Sequence, residues 1–188
     1  MTPILSLFPD PQPVVDGFRY RDDLIDPAHE ARLMARFSEL PFEPFAFQGF
    51  KGNRETVAFG SCYDFTRRQV QAAPQIPDWL AELKARAATF ANLVDDDLQQ
   101  ALVTRYTPGA GIGWHRDRPE YGKIIGVSFA SPSVLRLRRR QGDRWTRRSA
   151  GLAPRSAYLL AGSARDDWQH SITPAEHLRY SVTFRTLR

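Results

Sequence analysis

The chain has 188 residues, of which 42% are hydrophobic and 12% aromatic. That is enough for one domain with a real core, and it excludes wholesale disorder. A single cysteine, Cys62, excludes an internal disulfide and a multi-cysteine zinc site, and the net charge of +5 favours a polyanionic partner such as nucleic acid or, equally, a solvated basic surface.

The N-terminal residues 1–16 are proline-rich and read as an irregular arm. They lack a basic n-region and a small-residue cleavage site, so no signal peptide is expected. No apolar run is long enough to span a bilayer, and a reducing, cytoplasmic compartment fits. Asp26-Pro27 starts a predicted helix, with Asp26 as N-cap and Pro27 in the first helical position. Leu33, Met34, Phe37 and Leu40 form its apolar stripe, and Pro41 ends it. His29 is expected on its exposed side. A second helix starts near Asp78, with Leu80, Leu83, Ala87 and Phe90 as its stripe. Between the helices, residues 45–65 are aromatic and glycine-containing and read as short strands and turns.

After Asp95-Asp96-Asp97 the chain changes character. Strands are predicted over residues 98–106, 124–129, 134–138, 156–160 and 178–186. The arginines at 136, 138, 139, 140, 144, 147 and 148 form the densest basic run. Two helices followed by many short strands predict an α+β domain, with helices covering one face of a β-sandwich or jelly roll.

The stretch GWHRDRPEYGKIIGVSF, residues 113–129, places His115 and Asp117 two apart among glycines. In extended backbone both point to one face and suit a single ion, although a lone H-x-D recurs in exposed loops. His170, in DDWQHSI, supplies a third donor or is a histidine satisfied at a strand end. Two histidines and a carboxylate, leaving open positions opposite, suit non-haem Fe(II). In RYSVTFR, Arg179, Ser181, Thr183 and Arg185 alternate with Tyr180, Val182 and Phe184. Either the apolar face turns inward on an edge strand, or the arginines point into a barrel and hold an anionic ligand bidentately.

Taken in order, the H-x-D at His115/Asp117, the distal His170 and the R-x5-R at Arg179/Arg185 resemble the AlkB family of Fe(II)/2-oxoglutarate-dependent dioxygenases. The similarity runs from about Phe45 to the C-terminus and includes VTRYTPGAGIGWHRD and YLLAGSARDDWQHSI. It implies one domain over 1–188: a double-stranded β-helix (jelly roll) core at 98–188, N-terminal helices on one face, and a nucleotide-recognition lid at 45–66. It implies Fe(II) on His115, Asp117 and His170. It implies 2-oxoglutarate on Arg179 and the Tyr106 hydroxyl, with Thr104, Ser181 and Arg185 contributing. Thr104 and Ser181 stand where relatives often have asparagine, and each keeps a hydroxyl. Pro119 stands where several repair members have an acidic residue, with Glu120 adjacent.

YDFT resembles the substrate segment, so Tyr63 and Phe65 are expected to stack on a base; their alternative is hairpin packing. Arg54 is expected to contact the nucleic-acid backbone from the lid. The implied activity is oxidative demethylation of N-alkylated bases in DNA or RNA, single- or double-stranded, consuming O2 and releasing succinate, CO2 and formaldehyde. Alternatives are hydroxylation of a modified tRNA base, a protein hydroxylase, and a non-catalytic nucleic-acid-binding module. A monomer without a membrane partner is expected.

Overall fold

The structure, a computed structural model, describes residues 14–47, 50–64, 67 and 69–188. In chain order its elements are β1 (Phe18–Arg21), α1 (Pro27–Ser38), β2 (Glu43–Phe47), β3 (Phe50–Phe59), β4 (Ser61–Asp64) and β5 (Gln69–Ala72). Then come α2 (Ala81–Phe90), β6 (Gln100–Tyr106), β7 (Ile112–His115), β8 (Tyr121–Phe129), β9 (Ser133–Gln141) and β10 (Arg144–Leu152). The chain closes with β11 (Ala157–Leu160), α3 (Gly162–Asp166), β12 (Gln169–Ile172) and β13 (Arg179–Leu187). Among the described residues no helix is long and apolar enough to cross a membrane.

Two antiparallel sheets face each other in the expected jelly roll. The larger has the order β1-β11-β8-β13-β6-β3-β2, and the smaller β10-β9-β12-β7. β4 and β5 form a separate hairpin. The strand β3, from the expected lid segment, is hydrogen-bonded to β6 and so extends the larger sheet.

The Asp26 carboxylate accepts from the His29 backbone N–H at 2.7 Å and caps α1, satisfying one of the donors that a helix start leaves open. Leu33 and Phe37 from α1, and Leu80, Leu83 and Ala87 from the second helical segment, are buried against Val103, Val127, Phe129, Tyr180, Val182 and Phe184. The Phe37 ring meets Phe129 at 5.1 Å and Tyr180 at 5.5 Å. This helix layer takes the apolar face of β13. The alternate face of that strand, carrying Arg179 and Ser181, is therefore turned into the space between the sheets, where both residues are buried. Of the two readings of RYSVTFR, the inward-pointing arginine is the one realised. A second apolar cluster, including Leu135, Leu137, Tyr158, Leu160, Trp168 and Ile172, fills the rest of that space.

Two expectations need correction. His29 is 3% exposed and sits under Glu82 of α2, with Nδ1 to Oε1 at 3.4 Å. It lies on the buried side of α1, next to Leu33. Residues 14–16 form no helix or strand, and Val15 packs in the second core cluster; residues 1–13 lie outside the described set. Residues 144–152, read only as a charge run, form a full strand in register with β9 from Arg144↔Gln141 to Leu152↔Ser133. Its side chains are mostly exposed, so the ladder holds it and no apolar alternation marks it.

Candidate active site

Backbone pairing brings the two histidines together. β7 and β12 are antiparallel neighbours, and His115 and His170 are direct Cα partners, so both project from one face of the smaller sheet. Their ring centroids lie 4.2 Å apart. Asp117 follows two residues past His115, and His170 Nε2 is 3.3 Å from its Oδ2. One ligand atom from each of the three residues lies within 4.8 Å of the others. This is the only such cluster among the described residues. The glycines before it have a use. Gly109 adopts φ +85°, and a Cβ on Gly111 would come within 2.8 Å of the Ile172 carbonyl oxygen, so β7 can lie close to β12 only with glycine there.

The donor set is prepared for a cation. The His115 ring nitrogen Nδ1 is 2.9 Å from the Gly113 carbonyl, an acceptor only, which places the proton on Nδ1 and leaves Nε2 with its lone pair. Burial, reinforced by His170, pushes the His115 imidazole down to about 4, so it is neutral at pH 7. Burial opposes charge on Asp117, but Arg185 and the hydrogen bond to His170 outweigh it and hold the carboxyl well below its usual range. Arg185 donates to Asp117 Oδ1 from Nε at 2.9 Å and Nη2 at 2.7 Å. Its third nitrogen, Nη1, donates to Gln100 Oε1 at 2.7 Å. Gln100 Nε2 in turn donates to the Ser61 carbonyl and the Tyr121 hydroxyl, each at 2.8 Å. The guanidinium expected beside the cosubstrate thus orients a metal-ligand candidate. Two imidazoles and one anchored carboxylate with converging ligand atoms suit Fe(II).

The larger sheet supplies the facing wall. Strand register aligns Arg54, Tyr106 and Arg179 in one row across β3, β6 and β13. The next row is Thr56, Thr104, Ser181 and Ser128 across β3, β6, β13 and β8. Arg179 is 1% exposed; its Nε and Nη2 donate to Ser128 Oγ at 3.2 and 2.7 Å, and its Cζ lies 4.7 Å from the Tyr106 ring centroid. Arg179 makes no ion pair among the described residues, and its Nη1 is buried without a hydrogen-bond partner. A buried guanidinium with an idle nitrogen, beside a phenol and two hydroxyls, is a seat for a carboxylate.

Arg54 is half-buried, with its guanidinium 3.8 Å above the Phe45 ring. Burial, with Arg185 nearby, lowers its pKa, and it lies within electrostatic reach of Tyr106 and Asp117. By register it shares its face of the sheet with Tyr106 and Arg179. Tyr63, on β4, is clasped by Arg118, the residue after Asp117: the guanidinium stacks 4.2 Å from the ring centroid, and Nη2 donates to the hydroxyl. This ties the β4–β5 hairpin to the loop carrying Asp117. Phe65 lies outside the described residues. Sequence reading missed Ser128, Gln100 and Arg118. A lone hydroxyl inside the apolar run IIGVSFA was the one signal for Ser128.

The profile of the 2OG-Fe(II) oxygenase superfamily matches residues 25–185. An uncharacterized mimivirus protein, L905 of Acanthamoeba polyphaga mimivirus, is 24% identical over 186 residues, covering 92% of this chain and 86% of its own length. The alkylated DNA repair protein ALKBH8 homolog of Arabidopsis thaliana is 22% identical over 84% of this chain and 51% of its own length. The alpha-ketoglutarate-dependent dioxygenase AlkB of Escherichia coli is 33% identical over 34% of this chain and 31% of its own length. The chain thus spans about half of the plant relative and a third of the bacterial one. Among solved structures, OsALKBH1 superposes with a TM-score of 0.71 at 15% identity, over 90% of this chain and 96% of that one. A Pseudomonas putida prolyl-4-hydroxylase superposes at 0.64 and 13%, over 92% of this chain and 93% of that one.

Proposed function

This chain belongs to the 2OG-Fe(II) oxygenase superfamily, and we propose that it oxidatively removes methyl groups from base nitrogens of nucleic acid. Membership makes it an oxidoreductase that uses Fe(II), 2-oxoglutarate and O2. The observation that carries the proposal is the pairing of a His115–Asp117–His170 cluster with the idle Arg179 nitrogen on the opposite wall. The substrate class is supported by similarity to two proteins named for alkylated-DNA repair and as AlkB.

In this reading His115, Asp117 and His170 hold the metal. Arg185 and Gln100 fix the Asp117 carboxylate, and Ser128 fixes Arg179. Arg179 and Tyr106 take the far carboxylate of 2-oxoglutarate, with Thr104 and Ser181 offering hydroxyls beside it. When bound, Fe(II) with 2-oxoglutarate and O2 supplies the oxidation: the cosubstrate loses CO2 to become succinate, and the second oxygen atom enters a substrate C–H bond. An N-methyl group so hydroxylated is an N-hydroxymethyl, which collapses to formaldehyde and unmodified base. A base inside a duplex is out of reach, so it is extruded or already single-stranded. Tyr63, braced by Arg118, gives such a base an aromatic surface beside the metal loop. Arg54, on the face it shares with Tyr106 and Arg179, neutralises phosphate or cosubstrate charge.

The test loads the protein anaerobically with Fe(II) and 2-oxoglutarate, admits air, and measures succinate and formaldehyde with methylated single-stranded DNA and with methylated RNA. Formaldehyde matched to succinate on either polymer supports demethylation and chooses the nucleic acid. Succinate without formaldehyde moves the reading to stable hydroxylation of a modified tRNA base. Turnover indifferent to both polymers moves it to a protein substrate, a reading kept because the prolyl-hydroxylase fold superposes nearly as well.

A further inference from the structure

The smaller sheet has two faces, and only one faces the metal ligands. Along β9, Leu135 and Leu137 turn inward and are fully buried, while Arg136, Arg138 and Arg140 alternate outward. Cross-strand register puts Trp145 opposite Arg140 and Arg147 opposite Arg138 on that outer face. Trp114, one residue before His115, reaches the same face from β7. There the side chains stack in alternation. Trp114 lies 5.2 Å from the Arg136 guanidinium and 4.5 Å from that of Arg138, and Arg138 lies 4.3 Å from Trp145 on its other side. Arg136 Nε donates to Ser171 Oγ at 3.0 Å and Arg138 Nε to Gln169 Oε1 at 2.8 Å, so both guanidinium planes are fixed by the strand that carries His170. Trp145 remains 37% exposed.

The charge here is local. The β9–β10 hairpin, residues 133–152, holds seven arginines and one acidic residue, Asp143, a formal +6 against +5 for the whole chain. The remainder of the protein is thus slightly acidic. Asp143 is fully exposed and, among the described residues, pairs only with Arg140, at 3.6 Å. Among the described residues Arg136, Arg138 and Arg147 form no ion pair.

We propose that this outer face is a docking surface for the phosphodiester backbone of a nucleic acid, separate from the base pocket, with Trp145 free to stack on a base. The proposal rests on the nucleic-acid reading above and extends it to the flanking strand. β7 is the edge of the smaller sheet. A strand whose target base enters over β7 therefore continues across Trp114 onto the ladder. Arg138, held between two indoles, and Arg136, stacked on Trp114, have already lost rotamer freedom, so less entropy is lost when their free N–H edges meet phosphate. A ladder serving only to staple the sheet has no need of the exposed, unpaired Arg147.

The test is fluorescence anisotropy of the full chain with an unmethylated single-stranded oligonucleotide of about 20 nucleotides, at several salt concentrations. R140Q/R147Q removes two outer-face charges. R144Q/R148Q removes two charges from the same hairpin on its other face and serves as the control. Each arginine–phosphate pair removed reduces the log–log salt slope by about 0.7, so the outer pair is expected to lower it by about 1.4 and to weaken binding on the order of 25-fold at ~0.1 M salt. The control pair is expected to change affinity by about twofold or less, as screened long-range charge does. Equal effects from both pairs, or no effect from the outer pair, overturn the surface. If methylated substrate is still demethylated in that case, the catalytic reading stands and only the docking face falls. A wild-type chain that binds no oligonucleotide overturns the docking face, and it overturns the catalytic reading as well only if methylated DNA and RNA are not demethylated. Outer-face-dependent binding to vesicles of anionic phospholipid, with none to the oligonucleotide, assigns the ladder to a membrane and overturns the proposal.

Discussion

Replacing Arg179 with methionine is expected to move stability and cosubstrate affinity in opposite directions. The Arg179 guanidinium is 1% exposed, and among the described residues its acceptor is the Ser128 hydroxyl alone and its Nη1 has no partner. Without a ligand it is a buried cation lacking a counter-ion, a situation that costs several kcal/mol. Methionine keeps the unbranched stem and removes the charge, so the metal-free protein is expected to be unchanged or up to ~3 kcal/mol more stable. For a chain of this length that is a Tm rise of up to about 10 °C. Losing one partner of a buried, hydrogen-bonded charge pair costs about 2–5 kcal/mol. The 2-oxoglutarate affinity is therefore expected to fall by ~30-fold to ~5000-fold. Arg179→Lys, which keeps the charge and loses the fork, is expected to fall between. Thermal unfolding of the metal-free protein reads the first effect, and calorimetric titration of 2-oxoglutarate into Mn(II)-loaded protein under nitrogen reads the second. An affinity within about threefold of wild type refutes the reasoning. So does a loss of more than ~2 kcal/mol of stability, which would make Arg179 a staple of the fold.

Arg185→Gln is expected to release the Asp117 carboxylate and to weaken Mn(II) binding about 10- to 100-fold with little change in far-UV circular dichroism; unchanged Mn(II) affinity contradicts the positioning role. Phe37→Ala opens a cavity between α1 and the larger sheet and is expected to cost about 3–5 kcal/mol in urea unfolding with an unchanged slope. A loss below ~1 kcal/mol would mean that α1 does not close the core. In the folded metal-free protein His115 binds its proton only near pH 4, whereas the unfolded chain binds it near 6.5. Stability from this group is full above pH 6.5 and is lost as pH falls toward 4, by up to about 3 kcal/mol. Asp117, whose folded pKa is also lowered, adds loss in the same direction at still lower pH. Stability flat between pH 4 and 6.5 contradicts this.

Much of the site was legible because chemistry and period coincided. The alternation of RYSVTFR allowed only two orientations. The helix stripes at Leu33/Phe37 and Leu83/Ala87 provided the apolar layer that chose between them. The H-x-D spacing was readable, but the His115↔His170 pairing was not, since strand register is a non-local property. For the same reason the roles of Ser128 and Gln100 could not be read: each acts on an arginine far along the chain, where neighbouring strands bring the two together. β10 was missed because its side chains are mostly exposed, which removes the period-2 signal. His29 was misplaced by its polarity, although its spacing from Leu33 puts it on the buried stripe.

The central claim is that His115, Asp117 and His170 form one metal site facing an Arg179 carboxylate seat. The most direct measurement is Mn(II) binding by electron paramagnetic resonance, with and without 2-oxoglutarate, for wild type and His170→Ala. One Mn(II) per chain in the wild type, held more tightly when 2-oxoglutarate is present, and neither effect in a folded His170→Ala protein, is the result expected. Equal Mn(II) binding by the two proteins, or binding indifferent to 2-oxoglutarate, contradicts the account.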